Sequence, residues 1–320
     1  MLNEKSVVPY LRHRGILHKD ATVEIFSGGV SSRVFGIHNH DVDLVLKQAL
    51  PELKSAITWP ADRRRATNEA RAMKTLHAIT PNNVPQLMDV DPEEFTLTMN
   101  RSPREFSVWK SELLNGIIDP EIGRELGRIL ALWHNAGVQS EALRSRFMED
   151  KIFEQLRVWP FYRVLQEKNP GLSETISGMI AQITEEKTTL VHGDFSPKNI
   201  LVAPGREPII LDFEAINTGN PVFDLAFLLA HLLCKEIRTD SSEQKASLRK
   251  TAIEFLAAYK KHSEIKVADN LKDHVALIAL TRVDGVSLVN YLDSDQQESV
   301  RSITKRVLSS PGADVMDLFI

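Results

Sequence analysis

Cysteine is all but absent. Cys234 stands alone among 320 residues, so neither a disulfide within the chain nor a thiolate metal cluster can form. It lies in the apolar run "AFLLAHLLCKE", where a buried structural thiol is expected. Long hydrophobic runs are missing as well. "DLAFLLAHLLC" falls well short of the roughly 18 apolar residues of a membrane span. The opening "MLNEKSVVPYLRHRG" lacks the apolar centre of a signal peptide. Nor is there a large charge of either sign: the net charge is −4 and the pI about 6.2. That balance gives no support for wholesale binding to nucleic acid or an anionic membrane. No repeat or low-complexity segment breaks the pattern. A globular, cytoplasmic protein is expected, with a small molecule rather than nucleic acid or membrane as its partner. The oligomeric state is left open.

What is present divides by position. Through Asn100, "TVEIF", "SRVFGI" and "VDLVLKQ" read as short strands separated by "SGGVS" and "HNHD" turns. "ADRRRATNEARAMKTLHAI" has helical spacing, and "VPQLMDVD" and "FTLTMN" read as two further strands. Beyond residue 100 the pattern turns helical. "DPEIGRELGRILALWHNAG" offers Asp119 as N-cap, Pro120 at the first helical position and Gly137 as the stop. The helix beginning near Asp224 is apolar nearly all round and should be deeply buried. Three more helices are expected after about Ser241. These patterns imply an α+β protein of two lobes with a cleft between them, divided at 1–100 and 101–320.

The chemistry-bearing residues sit at the breaks in these patterns. Asp194 and Asn199 are five apart in "LVHGDFSPKNILV", and Asp212 ends the strand "IILD". Two carboxylates and an amide brought together would suit Mg²⁺, which takes hard oxygen ligands. One carboxylate must stay free of metal to accept a proton from a nucleophile. Upstream, the small residues of "SGGVSSRVF" would let backbone N–H groups approach phosphate. Lys47 is a cation on a strand, fit to pair with phosphate, and Glu69 on the next helix could hold it in place.

In this order the residues resemble the protein-kinase-like pattern of glycine-rich loop, strand lysine, helix glutamate, H-x-D-x-x-x-x-N and D-F-x. "HGD" replaces "HRD", "DFE" replaces "DFG", and no "APE" follows. "HGDFSPKN…ILDFEAINTGNPVFDLAFLL" resembles the aminoglycoside phosphotransferase and choline kinase family, which phosphorylates small molecules. The resemblance runs from near residue 27 to near 236 and implies a bilobal protein-kinase-like fold, with a small strand-rich N-lobe for nucleotide and a larger helical C-lobe. It implies ATP, not distinguished from GTP, and Mg²⁺ as cofactors. Asp194 would be the catalytic base. Asn199 and Asp212 would bind Mg²⁺, with Glu214 assisting a second metal or positioning water. Ser27, Gly28, Gly29, Ser31, Ser32, Lys47, Glu69 and Met99 would contact the nucleotide. Ser27, Gly29 and Ser32 occupy the three glycine slots of the loop, and one of them is glycine. His192 would brace the loop, Asp224 would cap its own helix and accept loop N–H groups, and Lys198 is undecided between phosphate and solvent.

The family builds its acceptor pocket from the helical part. Trp159 and Tyr162 in one segment, and Arg282 and Asp284 in another, are candidates to line it. The mix of arginine and acid does not select between an amine, a sugar and an acidic metabolite. A catalytically weak, nucleotide-binding regulatory protein is the alternative to a small-molecule kinase. A protein kinase is disfavoured, because the span from Glu214 to Asp224 is too short for a peptide platform.

Overall fold

A computed structural model describes residues 1–26, 29–54, 57–308 and 314–319. The chain divides into two compact units. One comprises Met1–Glu105 with Ile209–Ala215, and the other Phe106–Pro208 with Ile216–Ile320. The return of seven residues to the first unit places Asp212 and Glu214 there, with Asp212 beside Lys47.

The first unit is built on five antiparallel strands: β1 (Thr22–Phe26), β2 (Ser32–His38), β3 (Asp43–Ala49), β4 (Leu87–Asp91) and β5 (Thr96–Asn100), in the order β1-β2-β3-β5-β4. Alternation along β3 buries Leu44 and Leu46 and places Lys47 on the opposite face. Lys47 stands opposite Val34 on one side and Leu97 on the other, which fixes its height in the sheet. Helix α1 (Val7–His13) inserts Val7 and Leu11 against Phe35, Ile37 and Leu46 to close one core. Helix α2 (Arg65–Ile79) buries Ala66, Ala70, Met73 and Leu76. Its Arg65 and Glu69 are four apart and so share a face. The short β9 (Ile209–Ile210) is tied in by the Ile210 amide, which donates to the Asn83 carbonyl at 2.8 Å.

The second unit is helical. It begins with β6 (Ser107–Val108), α3 (Trp109–Leu114) and α4 (Pro120–Gln139), followed by the short α5 (Glu141–Ser145) and α6 (Lys151–Phe153). A ten-residue π-helical stretch over Glu154–Arg163, with Pro160 inside it, leads into α7 (Val164–Lys168) and α8 (Ser173–Glu185). Strands β7 (Thr189–Val191), β8 (Ile200–Val202) and β10 (Asn217–Gly219) frame the polar loop, and β7 pairs antiparallel with β10. Helices α9 (Val222–Arg238), α10 (Ser242–His262), α11 (Leu271–Asp284) and α12 (Ser294–Leu308) complete the unit. Helix α9 is buried on every side from Val222 to Glu236. No described helix is long and apolar enough to cross a membrane.

Asp119 and Pro120 start α4 as expected, the Asp119 carboxylate accepting from the Glu121 amide. Gly137 does not stop it: the helix runs on to Gln139. A Cβ at Gly137 would lie 2.3 Å from Thr189 Oγ1 and 2.5 Å from the Leu190 amide. The glycine serves the close approach of β7, not helix termination. Gly123 and Gly127 do the same toward α10, where a Cβ would meet the Thr251 and Phe255 carbonyls at 2.3 and 2.2 Å.

Candidate active site

In the first unit, acids outnumber bases around Lys47. Its Nζ donates to Glu69 Oε1 and to Asp212 Oδ1, each at 2.6 Å. Glu214 completes an acidic trio, one oxygen from each of Glu69, Asp212 and Glu214 lying within 4.8 Å of the others. Buried Arg65 answers Glu214, Nε to Oε2 at 3.1 Å, and donates also to the Ser31 carbonyl at 2.5 Å and the Leu50 carbonyl at 2.7 Å. Thus α2 supplies both the acid that holds Lys47 and the base that holds Glu214. Asp212 adopts a left-handed backbone, φ 69°, which aspartate tolerates better than most residues.

The titration of these groups reports the imbalance. Burial pushes Glu69 up, and Asp212 and Glu214 push the same way, against the opposing pull of Lys47. Glu214 is raised by burial and then by Asp212, with Arg65 and Lys47 opposing. For Lys47, burial pulls down, yet Asp212, Glu69 and Glu214 together outweigh it and hold the ammonium firmly protonated. The side chain of Asp212 is 20% exposed, against 2% for Glu69 and 6% for Glu214. It is the carboxylate of the three that an entering cation can reach, and hard oxygen donors of this kind suit Mg²⁺ or Ca²⁺.

Of the other residues expected at the nucleotide, Ser27 and Gly28 lie outside the described residues. Gly29 makes a close backbone approach, since a Cβ there would sit 2.9 Å from the Ser32 carbonyl. The Ser31 side chain acts to lower Glu214 against the rise from burial, and the Ser31 carbonyl is the one that accepts from Arg65. Ser32 is buried at the start of β2, and Met99 is buried on β5 opposite Val45 and Leu87.

In the second unit the polar loop is fastened from below. The Asp224 carboxylate accepts from the His192 amide at 2.7 Å and the Gly193 amide at 2.9 Å. It does not cap its own helix, which has Pro221 at the N-cap and no side-chain cap; just before it the Asn220 side chain accepts from the Val222 amide at 2.8 Å. His192 Nδ1 accepts from the Asp194 amide at 3.1 Å, and its ring stacks 6.3 Å from Trp133. Gly193 takes φ 79°, a conformation that favours glycine. The loop is thereby turned so that Asp194 and Asn199 meet: Asn199 Nδ2 donates to the Asp194 carbonyl at 3.0 Å. That commits its donor and leaves Oδ1 as the atom to offer a cation.

Asp194 is held by two cations. Arg157 Nη2 and Lys198 Nζ both stand 2.9 Å from Oδ2. Lys198 is therefore neither a bystander nor a bare surface charge. Arg157 also donates to the Gly193 and Leu156 carbonyls. Nothing in "EQLRVWPFYR" marks it in advance, because the π-helical winding that turns it inward is not a spacing that α-helical periodicity detects.

The acceptor candidates separate. Arg282 on α11 is buried, and the Asp194 charge reaches it. Tyr162 is wholly buried, its hydroxyl 2.9 Å from His274 Nδ1 and its ring against Phe223, in the core of the unit. Asp284 pairs with Arg301 at 2.9 Å. Trp159 is half-buried in the π-helical stretch.

The sequence model of the phosphotransferase enzyme family matches residues 22–264. The chain belongs to this family. It is 26% identical over 276 residues to a methylthioribose kinase from Bacillus cereus, covering 76% of this chain and 68% of that one. Among solved structures, an amicoumacin kinase in complex with AMP-PNP and Ca²⁺ superimposes with a TM-score of 0.62 at 14% identity, over 97% of this chain and 96% of that one. A choline/ethanolamine kinase family protein from Mesorhizobium loti gives 0.53 at 14% identity, over 98% and 87%. This phosphotransferase thus has the α+β, protein-kinase-like fold, with a strand-rich smaller lobe and a larger helical one. It is a small-molecule kinase with an alcohol group as the acceptor.

Proposed function

We propose that this kinase moves the γ-phosphate of ATP to the hydroxyl of a small molecule, with Asp194 aligning that hydroxyl and receiving its proton. The Pγ–O bond to ADP breaks as the acceptor oxygen bonds to phosphorus, and the displaced electron pair leaves on ADP. Such a transfer asks for positioning and charge neutralisation more than covalent chemistry. An aspartate fixed by Arg157, Lys198 and the His192 brace suits that task. Lys47, kept protonated by its acidic neighbours, supplies a fixed charge for phosphate oxygens. Asp212 supplies the reachable carboxylate for a divalent cation, and Glu214 adds negative charge next to it. Asn199, in the second unit, offers its amide oxygen as a further hard donor. Mg²⁺, when bound, neutralises the phosphate oxygens as charge shifts toward the leaving group.

The observation that carries this reading is Asp194 itself, a carboxylate oriented by two cations and a backbone brace at the centre of a rigid loop. Asp194→Asn preserves the shape and removes the charge. It is expected to lower kcat by roughly 10²–10⁴-fold while leaving the thermal stabilisation by Mg²⁺–AMP-PNP in place. A variant turning over near the wild-type rate, in a coupled assay of ADP release against hydroxylated metabolites, would contradict the assignment.

A further inference from the structure

The second unit also holds a group of basic side chains. Lys110 lies on α3, His231 and Lys235 one turn apart on α9, and Arg282 on α11. Aromatic rings tie them together. The Lys110 and Lys235 ammonium groups stand 5.7 and 5.3 Å from the centre of the same Tyr291 ring. The Arg282 guanidinium stands 5.5 Å from the Phe161 ring. Phe161 lies 5.2 Å from Phe227, which in turn lies 5.3 Å from His231. Arg157, the residue that grips Asp194, stands 5.9 Å from that same Phe227 ring. The cations therefore border the catalytic loop.

Lys235, His231 and Arg282 are buried, Lys110 is partly exposed, and the Asp194 charge that reaches Arg282 is already held by Arg157 and Lys198. Lys235 is 2% exposed, His231 5% and Arg282 8%. Among the described residues no carboxylate forms an ion pair with Lys110, Lys235 or Arg282. Lys235 donates to the backbone carbonyl of His231 at 3.2 Å, and Arg282 to the Ser287 hydroxyl at 2.9 Å. Arg282 Nε, His231 Nε2 and the Tyr291 hydroxyl are buried with no hydrogen-bond partner among the described residues. Burial first, and then Lys110, Arg282 and Arg238, outweigh Cys234 and pull Lys235 down to about 7. Lys110 and Arg282 are also lowered, in both cases chiefly by burial. Unpaired buried charge and unfilled donors are costly, and a fold has no reason of its own to gather them.

We propose that Arg282, Lys235 and Lys110 seat an anionic group of the acceptor, so that the molecule bringing its hydroxyl to Asp194 carries a carboxylate or a phosphate. A guanidinium fork and two ammonium groups are complementary to either anion. An amine would meet like charge. The role in the reaction rests on the phosphotransfer reading above; the anion site does not depend on turnover.

The test is thermal stabilisation, with Mg²⁺–AMP-PNP saturating so that the nucleotide site is filled. Ribose 5-phosphate is paired with ribose, glycerate with glycerol, and kanamycin serves as a cation. At least one anion is expected to raise the melting temperature where its neutral partner does not. The first pair reports phosphate and the second carboxylate. Arg282→Met and Lys235→Met are each expected to weaken the anion's apparent affinity roughly tenfold or more. Lys235→Met should nevertheless melt above the wild type, a result that a lysine kept for structure would not give. Equal response, including none, within both pairs would overturn the proposal. So would a stronger response to kanamycin than to either anion, or undiminished anion binding in both variants. Repeating the titration on Asp194→Asn keeps the two readings apart: binding that persists there upholds the anion site even if no compound is phosphorylated.

Discussion

Around Lys47 the chain gathers carboxylates; around Lys235 it gathers other basic groups. Glu69, Asp212 and Glu214 face one lysine and one arginine in the first unit. Lys110, Lys235 and Arg282 crowd together in the second, beside His231, and none of the three forms an ion pair with a carboxylate among the described residues. Folding alone favours neither arrangement, because each carries charge that the protein does not neutralise. The two imbalances have opposite signs, and each is a preference for a ligand of the missing sign: a divalent cation in one unit and an anion in the other.

Removing a lysine from each cluster should therefore shift stability in opposite directions. Lys47→Met leaves buried Glu69 and partly buried Asp212 uncompensated, and is expected to cost about 3–5 kcal/mol in chemical denaturation. Glu69 already has a raised folded pKa. Stability tied to such a carboxylate is present at low pH and lost as pH rises, so the cost should be smaller at pH 5 than at pH 8. A cost that does not vary with pH would mean that lost packing, not charge, dominates. Lys235→Met should stabilise by about 2 kcal/mol, since a buried unpaired cation is removed. The wild-type lysine has a folded value near 7, below its unfolded value. Its penalty is full below that pH and is relieved as pH rises toward 10, so the gain should be larger at pH 6 than at pH 9. A destabilised variant at both pH values would break the comparison.

The legible parts of this molecule are those that obey a simple period or a short spacing. The run "VDLVLKQ" is legible as a strand that carries Lys47, and the cap at Asp119 and Pro120 as the start of α4. The loop from His192 to Asn199 was legible as one unit, because its glycine and its paired polar residues have few other uses. Gly137 was misread because a glycine near a helix end resembles a stop, whereas its reason is a strand packed against it from 52 positions later in the chain. Arg157, Lys110 and Lys235 were hidden for a related reason, whereas Arg282 is a candidate from the sequence. A π-helical stretch re-aims side chains relative to α-helical spacing. A lysine at the end of an apolar helix reads as a terminus until tertiary packing buries it. Arg65 was hidden among three consecutive arginines, although its spacing of four from Glu69 could have singled it out. Non-local burial, not local propensity, decides each of these positions.

Whether two clusters of opposite sign serve two ligands is decided by crossing two variants with two ligands. Thermal shifts are measured for Asp212→Ala and Arg282→Met, each with Mg²⁺–AMP-PNP and, separately, with whichever anion, ribose 5-phosphate or glycerate, stabilises the wild type. Asp212→Ala is expected to lose the Mg²⁺-dependent part of the nucleotide response and to keep the anion response, and Arg282→Met to do the reverse. A full Mg²⁺-dependent shift in Asp212→Ala, or an undiminished anion shift in Arg282→Met, would contradict it.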